Sequence, residues 1–392
     1  MSFGKWAKDA QGDTEALMKA GVGISCEEDA RQAGARAAMA AVDKSGPAVV
    51  GIVVGAGHYD GDEVMAGVRS VLGSARLVGA SCAGFFSSQG VFSRGIAVLS
   101  LSGVELVGET ACVGADHPDV QETGRILGRE LLQSGKGQGA ILCFPDSFEG
   151  QVSQLVDSLY DTLGPEFLYF GGGTGDGWKI LDSWQGTEKR IVSQGVAAAL
   201  LGGCRFVGGV AHGWVPEGAP LVVTRAKGRV IFELDGRSAF DVYAERLGGF
   251  AAESFAETAM RHPLGICYGP ERFIIRDPLQ VINGTAIQFI SAIPNQTVAY
   301  IMKPREDYDL AMGRQLSERV LDQLQKADFA LISYCISRSL LMGEACKKEL
   351  SALVDPLGSL PYLGFMAYGE IGSYGDAPQF HNKSISLLIG GA

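Results

Sequence analysis

The sequence predicts a two-domain α/β protein in which mixed sheets are flanked by helices in layers, with more antiparallel strands in the second half. Three observations lead to this fold class. The chain has 392 residues, which suits two domains at roughly 100 to 200 residues each. It is 46% hydrophobic, which is too apolar for a disordered chain. Short apolar runs bounded by glycine alternate with helical patterns through the first half.

The first half reads as alternating helices and strands. Its first unit starts at 21–25, and Ser25 with Glu28 has the pattern of a capping box that opens a helix over about 29–42. The continuous apolar run at 48–54 is typical of a strand buried on both faces. Further helices are expected at 61–73, 120–133 and 149–163, and further strands at 77–81, 95–101, 140–144 and 167–170.

The second half contains a strand-rich stretch before helices return. Strands with little helix between them are expected at 195–201, 204–211, 220–224 and 229–234, which favours antiparallel pairing. Helices then follow at 238–247, 309–326 and 342–354, with strands at 273–276, 286–292, 297–302, 329–334, 362–368 and 385–389. No linker rich in proline or serine separates the halves, so we place the domain boundary between 220 and 236 and expect a shared interface.

Charge and cysteine usage exclude several classes of function. Lys and Arg number 33 against 44 Asp and Glu, and the resulting net charge of −11 disfavours binding to nucleic acid and anionic lipid. The eight cysteines form no C-x-x-C pair, which argues against zinc ribbons and thioredoxin-like sites. The N-terminus lacks the apolar segment of a signal peptide. We therefore expect a soluble cytoplasmic protein without membrane insertion, nucleic-acid binding or a metal site.

The glycine-rich segment 170–177 is the strongest local motif, because consecutive glycines after a strand can present backbone N–H groups to an anion. Its spacing matches neither the dinucleotide-binding fingerprint nor the P-loop. Two interpretations stay open: a tight turn where two backbones cross, or a ligand-facing loop that includes Gly172, Gly173 and Asp176.

The segment 79–84 follows a predicted strand and resembles a nucleophile elbow. It would make Ser81 or Cys82 the nucleophile of a hydrolase or transferase. The pattern G-x-S-x-G fails at Ala83, and the sequence pairs no histidine base with either residue. We expect a small-residue turn that lines a cavity, and no catalytic activity.

Polar side chains collect near the ends of the predicted C-terminal strands. Arginine and glutamate could hold the two charged ends of an amino acid through charge-assisted hydrogen bonds. The alternative to a ligand site is that these residues form a structural ion pair and cap turns. The candidate ligand contacts in this region are Arg276, Asp277, Cys335, Arg338, Tyr368, Glu370, His381 and Asn382.

The histidines show no spacing typical of a metal site. A single axial histidine to haem stays open, because that ligation needs only one residue and an apolar pocket.

Segments spread from residue 21 to residue 390 together resemble the FIST family, the F-box and intracellular signal transduction proteins. The matching segments are 21–25, 59–64, 77–84, 171–177, 212–214, 232–239, 263–265, 275–279, 364–372 and 380–382. The resemblance implies an N-terminal extension at 1–20, a FIST N-terminal domain at 21–228 and a FIST C-terminal domain at 229–392. Where members commonly read Ser-Cys-x-Gly-Arg-Gly, this chain carries bulkier residues between Ser333 and Ser339.

The resemblance also implies a function, that of a cytoplasmic sensory module that binds a small ligand. The candidate ligand is an amino acid or a similar small carboxylate. Output would come from a separate protein such as a histidine kinase, a cyclase or a chemoreceptor. Some members are haemoproteins that sense nitric oxide, so a haem-based gas sensor is the alternative. We expect the pocket near the domain junction, walled by the Ser81–Cys82 turn, the 171–176 loop and the ends of the C-terminal strands.

Overall fold

The structure is a computed structural model that describes residues 18–103, 106, 108–116, 119–133, 135–147, 150–175, 183–269, 271–305 and 310–392. Across these residues the chain has the predicted α/β fold with mixed and antiparallel sheets. The elements form three repeats of one pattern, in which strand, helix, strand, helix, strand, hairpin and strand follow one another. A strand-rich module is inserted into the third repeat.

The first repeat begins with an antiparallel strand and contains one parallel strand pair. It comprises β1 (Lys19–Ser25), α1 (Ala30–Ser45), β2 (Val50–Ala56), α2 (Gly61–Leu72), β3 (Arg76–Cys82), β4 (Phe85–Ser87), β5 (Gly90–Phe92) and β6 (Gly95–Ser102). Strands β2 and β3 pair in parallel, because α2 returns the chain to the same edge.

The start of α1 differs from the prediction. Its N-cap is Asp29, whose carboxylate accepts a hydrogen bond from the Gln32 N–H at 2.8 Å. The predicted capping box is wrong, because Ser25 is the last residue of β1 and pairs with Ile96. An aspartate at the N-cap satisfies the same orphan N–H groups that the predicted serine would have satisfied.

The second repeat follows the same order. It comprises β7 (Gly108–Val113), α3 (Val120–Leu132), β8 (Gly139–Pro145), α4 (Val152–Leu163), β9 (Phe167–Gly172), β10 (Gln185–Thr187), β11 (Ile191–Val192) and β12 (Val196–Leu201). Strands β8 and β9 are its parallel pair, and β12 runs antiparallel between β7 and β8.

The third repeat is interrupted after its first strand, β13 (Arg205–Ala211). The insert comprises β14 (Trp214–Lys227), β15 (Val230–Leu234), β16 (Arg237–Ser238), α5 (Ala239–Arg246), α6 (Phe255–Arg261), β17 (Leu264–Gly269), β18 (Arg272–Arg276), β19 (Pro278–Ile282), β20 (Ala286–Phe289) and β21 (Thr297–Pro304). Its strands form one antiparallel sheet over a separate apolar core. The domain boundary placed at 228/229 falls in the turn from β14 to β15, within this sheet.

The repeat then resumes and runs to the end of the described chain. It continues with α7 (Leu310–Leu321), β22 (Ala327–Cys335), α8 (Ile336–Met342), α9 (Ala345–Val354), β23 (Tyr362–Ala367), β24 (Glu370–Gly372), β25 (Gln379–His381) and β26 (Ile385–Gly391). Strands β22 and β23 pair in parallel, as their counterparts do in the other two repeats.

Each repeat sends its hairpin into the sheet of another repeat. The three sheets have the strand orders β1-β6-β2-β3-β10-β11, β7-β12-β8-β9-β24-β25 and β13-β26-β22-β23-β4-β5 in the described residues. The first repeat therefore completes the third sheet, the second repeat completes the first sheet, and the third repeat completes the second. This closed cycle joins the two halves of the chain through shared sheets.

Three sheets face one central core, and helices cover their outer faces. The side chains of Val54, Phe144 and Phe365 come from different sheets and are all buried in this core. Smaller apolar clusters lie between each sheet and its helices. This layering explains the continuous apolar runs in the sequence, because a strand that is buried on both faces carries apolar residues at successive positions.

The third strands of the three repeats end at one place, which we call the junction and define as residues 81–84, 172–175 and 366–369. Equivalent backbone hydrogen bonds close it. Each of three N–H groups donates to a carbonyl that precedes a swapped hairpin: Ser81 to Trp184 at 2.9 Å, Gly173 to Gly369 at 2.9 Å, and Met366 to Gly84 at 2.7 Å.

Close packing at the junction explains the glycine-rich segment. A Cβ atom on Gly172 would lie 2.5 Å from the Ser333 Oγ and 2.7 Å from the Ala367 Cβ, well inside van der Waals contact. Gly172 also pairs with Glu370 across the shared sheet. Backbones from two repeats therefore meet where this segment has no side chains.

We predict that Gly172→Ala lowers the free energy of unfolding by about 1 to 3 kcal/mol, because overpacking forces backbone shifts. Gly137→Ala is the matched control, since a Cβ there meets nothing within 4 Å. Its effect should stay within about 0.5 kcal/mol. Guanidinium denaturation of both variants measures the difference, and equal stability of the two would refute the packing explanation.

Candidate functional site

Ser81 and Cys82 both lie at the junction with buried side chains. The Ser81 hydroxyl accepts a hydrogen bond from the Trp184 N–H at 3.0 Å. Burial raises the pKa of the Cys82 thiol to about 12, so the thiol stays protonated at neutral pH. Both groups are held in the packing of the first sheet.

Gly172 and Gly173 contribute backbone to the junction. The Gly173 carbonyl accepts from the Tyr368 N–H at 3.0 Å. The Tyr368 ring lies against Gly175, where an added Cβ would overlap it. The described part of the segment is therefore a crossing of two backbones, while Asp176 lies outside the described residues.

Several predicted C-terminal residues meet in a fully buried group around Glu370. The Glu370 Oε2 accepts from the Ser384 Oγ at 2.6 Å and from the Ser384 N–H at 3.2 Å. Burial raises the pKa of Glu370 to about 8, and hydrogen bonds from Ser384 and Cys335 oppose that rise. His381 lies directly opposite Glu370 on the neighbouring strand, and its own burial lowers the imidazole pKa to about 3. Both groups are therefore uncharged around pH 7.

Lys383 is a fully buried lysine that the sequence analysis missed. Its Nζ lies 3.1 Å from the Asp277 Oδ2 and donates to the Ser337 Oγ at 2.8 Å. The Lys383 backbone has φ of 51°, which is uncommon for a residue other than glycine. One feature of the sequence could have indicated this lysine: it directly follows His381 and Asn382 and is an isolated cation before an apolar strand.

Asn382 and Arg276 join the insert to the third repeat. The Asn382 Oδ1 accepts from the Ser291 Oγ at 3.0 Å. The Arg276 guanidinium donates to the carbonyls of Phe380 at 2.7 Å and Ala292 at 2.9 Å. Burial lowers its pKa to about 10. Arg276 thus satisfies backbone carbonyls instead of facing an open site.

Arg338 is separate from these groups and forms a buried ion pair with Glu349. Its Nε donates to the Glu349 Oε2 at 2.8 Å, and its second nitrogen bonds the other carboxylate oxygen. The third nitrogen donates to the His212 carbonyl at 2.6 Å. The Tyr334 hydroxyl donates to the same carboxylate. The guanidinium is fully engaged within the third repeat.

The predicted residues therefore divide among three places. The junction holds Ser81, Cys82, Gly172, Gly173 and Tyr368. Cys335, Glu370, His381, Asn382, Asp277 and Arg276 share a continuous buried region, and Arg338 lies in its own ion pair. Their described hydrogen bonds run mainly to one another and to backbone.

A cavity of about 270 Å³ lies on the helix side of the second sheet, between the N-termini of α3 and α4. Its described walls are Val113, Gly114, Ala115, Val120, Thr123, Pro145, Asp146, Gln151, Val152, Leu155, Gln194, Gly195 and Val196. The predicted ligand contacts that the structure describes are not among them. Little in the sequence indicates this site, because most of its walls are ordinary apolar residues.

The cavity combines apolar walls with two helix N-termini of different character. The Asp119 carboxylate caps α3 by accepting from the Gln121 N–H at 2.9 Å. At α4 the N-cap is Gln151, which makes no side-chain cap hydrogen bond. The first turn of α4 therefore keeps partial positive charge at the cavity. Asp146 supplies a carboxylate on the same wall.

The alternative of an axial histidine to haem stays a prediction. His381 is fully buried, and its ring packs at 5.5 Å against the ring of Tyr374. The walls of the cavity include no histidine among the residues whose positions are given. No group of three or more His, Cys, Asp or Glu side chains suited to a metal occurs in those same parts of the chain. Among the described helices, none has the length and apolar character needed to span a bilayer.

We predict that Glu349→Gln destabilises the protein by about 3 to 5 kcal/mol, because it leaves the Arg338 charge buried without its counterion. Glu344→Gln removes one partner of an exposed pair with Lys347 and serves as the control. That change should cost no more than about 1 kcal/mol. Thermal and urea unfolding compare the variants, and equal losses would contradict a buried ion pair.

We also predict a pH dependence that comes from Glu370. Because its folded pKa of about 8 lies above the unfolded value, the folded state holds a proton that the unfolded state has lost. This contribution to stability falls by about 1.4 kcal/mol per pH unit between the two pKa values as pH rises.

Glu370→Gln should remove that loss, so its stability relative to the wild type should rise from pH 5 to pH 8. Urea denaturation at each pH measures this difference. Glu344→Gln, at the exposed carboxylate, should leave the wild-type pH profile unchanged. A parallel profile for Glu370→Gln and wild type would show that the carboxyl is not protonated in the fold.

Two family models match consecutive parts of the chain. The model of the FIST N domain matches residues 49–237, and the model of the FIST C domain matches residues 239–373. An uncharacterized protein of Mycobacterium tuberculosis strain H37Rv, Rv0628c, is 26% identical over 393 residues, covering 95% of this chain and 99% of the relative. The uncharacterized protein Mb0898c of Mycobacterium bovis is 26% identical over 391 residues, covering 95% and 98%. The chain belongs to the FIST family, whose domains are associated with sensory signal transduction.

Proposed function

We propose that the protein is a cytoplasmic sensor without catalytic activity of its own, and that it binds an amino acid or a related small carboxylate in the cavity between α3 and α4. The cavity is the observation that carries this proposal. Small-molecule sites combine apolar walls with a few placed polar groups, and the lining here contains both kinds of residue.

Each part of an amino acid meets a matching surface in this cavity. The ligand carboxylate is placed at the first turn of α4, which lacks a side-chain cap. The ammonium group faces Asp146, and the apolar walls around Val113, Leu155 and Val196 receive the side chain. The proposed pocket therefore lies on the helix side of the second sheet, and the described residues of the junction do not line it.

Asp146 links the proposed pocket to the rest of the molecule. Its backbone forms a β-bridge with Thr174 in the junction, and its carboxylate accepts a hydrogen bond from Ser183. A ligand that pairs with Asp146 therefore acts on residues that touch the first and second sheets. The output is assigned to a separate signalling protein such as a histidine kinase, a cyclase or a chemoreceptor.

Isothermal titration of the full chain against the common amino acids and their amides tests the proposal. At least one amino acid should bind, and its amide should bind tenfold more weakly or worse, because it cannot place a carboxylate at α4. Val120→Trp should abolish binding by filling the cavity, since Val120 lines it.

Ala30→Trp is the matched control, because Ala30 is the first residue of α1 as Val120 is of α3. It should bind the ligand as the wild type does. Absence of heat for every amino acid would overturn the proposal, and so would equal binding by wild type and Val120→Trp.

A further inference from the structure

A fully buried glutamine, Gln185, lies directly behind the cavity. It is the first residue of β10, the strand that the second repeat adds to the first sheet, and it pairs with Ala80 of β3. Gln185 is not among the described walls of the cavity, yet its side-chain hydrogen bonds lead to those walls. A buried amide is unfavourable unless its polar atoms have partners, so these bonds decide what the residue does.

Every polar atom of the Gln185 amide has a partner. Its Oε1 accepts from the Gly195 N–H at 3.0 Å, and its Nε2 donates to the Thr174 Oγ1 at 2.7 Å and to the Ser183 Oγ at 2.9 Å. A backbone N–H can only donate, so the amide oxygen must face Gly195 and the amide nitrogen must face the two hydroxyls. The orientation of the amide is therefore fixed by its surroundings.

The amide in turn fixes the direction of the Ser183 hydroxyl. Because the Ser183 Oγ accepts from Gln185, its own hydrogen is directed to another acceptor, and it donates to the Asp146 Oδ2. Ser183 is buried as well, and Asp146 lines the cavity. A chain of hydrogen bonds thus runs from Gln185 through Ser183 to the carboxylate on the cavity wall.

The other two bonds of Gln185 hold the backbone around Asp146. The Thr174 Oγ1 accepts from Gln185 and donates to the Pro145 carbonyl at 3.1 Å. The carbonyl of Gly195 accepts from the Asp146 N–H at 2.8 Å. The residue before Asp146, its own N–H and its carboxylate are therefore all bonded to partners of one amide.

We propose that Gln185 is the positioning residue of the cavity, and that Gln185 and Ser183 together hold the Asp146 carboxylate for the ammonium group of an amino acid. A carboxylate held in one orientation by supporting hydrogen bonds binds a cation in a defined place. The inference rests on the proposed function and deepens it, because it selects ligands that carry a protonated amine over carboxylates that lack one.

Isothermal titration of the full chain tests the inference with pairs of probes that differ only in the amino group. The pairs are leucine with 4-methylpentanoate, phenylalanine with 3-phenylpropanoate, and glutamate with glutarate. In at least one pair the wild type should bind the amino acid about tenfold more tightly than the plain carboxylate. Gln185→Met should reduce that preference by about threefold to tenfold. Its affinity for the plain carboxylate should stay at the wild-type value.

Ser183 variants test whether Gln185 acts through the serine. Ser183→Ala should lose the same preference, and Ser183→Thr, which keeps the hydroxyl, should retain most of it. The double variant should lose no more than Gln185→Met alone, because both changes break one connection. Ser317→Ala is the matched control, since this buried hydroxyl donates to the Leu353 carbonyl at 2.6 Å in the third repeat. It should keep the wild-type preference.

The possible results separate this inference from the proposed function. If Gln185→Met weakens both members of a pair equally, or keeps the preference, Gln185 is not a positioning residue and the proposed function stands. A wild type that binds both members equally leads to the same conclusion. Absence of binding by every amino acid and carboxylate would overturn both. If Gln185→Met does not fold, Gln185→Asn replaces it, because the shorter side chain withdraws the amide from Ser183 and keeps a polar group there.

Discussion

The structure depends on the backbone hydrogen bonds that close the cycle of exchanged hairpins. Each repeat alone has a sheet whose outer edge ends at its third strand, and an exposed edge of unpaired N–H and C=O groups is unfavourable. The hairpin of another repeat covers that edge in all three sheets. The junction needs small residues because three strand ends and three hairpins meet there. The serine, cysteine and glycine motifs of the sequence are a result of this crowding.

Polar residues near the end of the chain have a related task. The insert interrupts the third repeat and must be held to it, and Arg276, Asn382 and the Lys383–Asp277 pair make those contacts in the protein interior. Buried charges are tolerated only when partners surround them. Ligand recognition and structural fixation use the same residue types, and the described contacts of Arg276, Asn382 and Lys383 are of the structural kind. The cavity lies apart from them, in the least conspicuous part of the sequence.

Much of the fold could be predicted from the sequence, because strands buried on both faces leave continuous apolar runs such as 48–54 and 140–144. The exchanged hairpins could not, since all six of their strands in the described chain have three residues or fewer and each lies in the sheet of another repeat. The predicted ligand residues lie where polar groups cluster in the sequence, whereas the cavity lies elsewhere. Lys383 was missed because it was not connected with the neighbouring His381 and Asn382, and the cavity was missed because most of its walls are ordinary apolar residues.

The order of the exchange has a consequence for how the protein is made. The first sheet stays incomplete until β10 and β11 have left the ribosome. The β4–β5 hairpin cannot pair until β23, near the end of the chain, has been synthesised. Native pairing is therefore postponed to the end of translation, since contacts distant in sequence form slowly. A nascent chain stalled before its last hundred residues would expose the unpaired edge of β9 and the β4–β5 hairpin without its partner strand β23. Chaperones bind exposed surfaces of this kind.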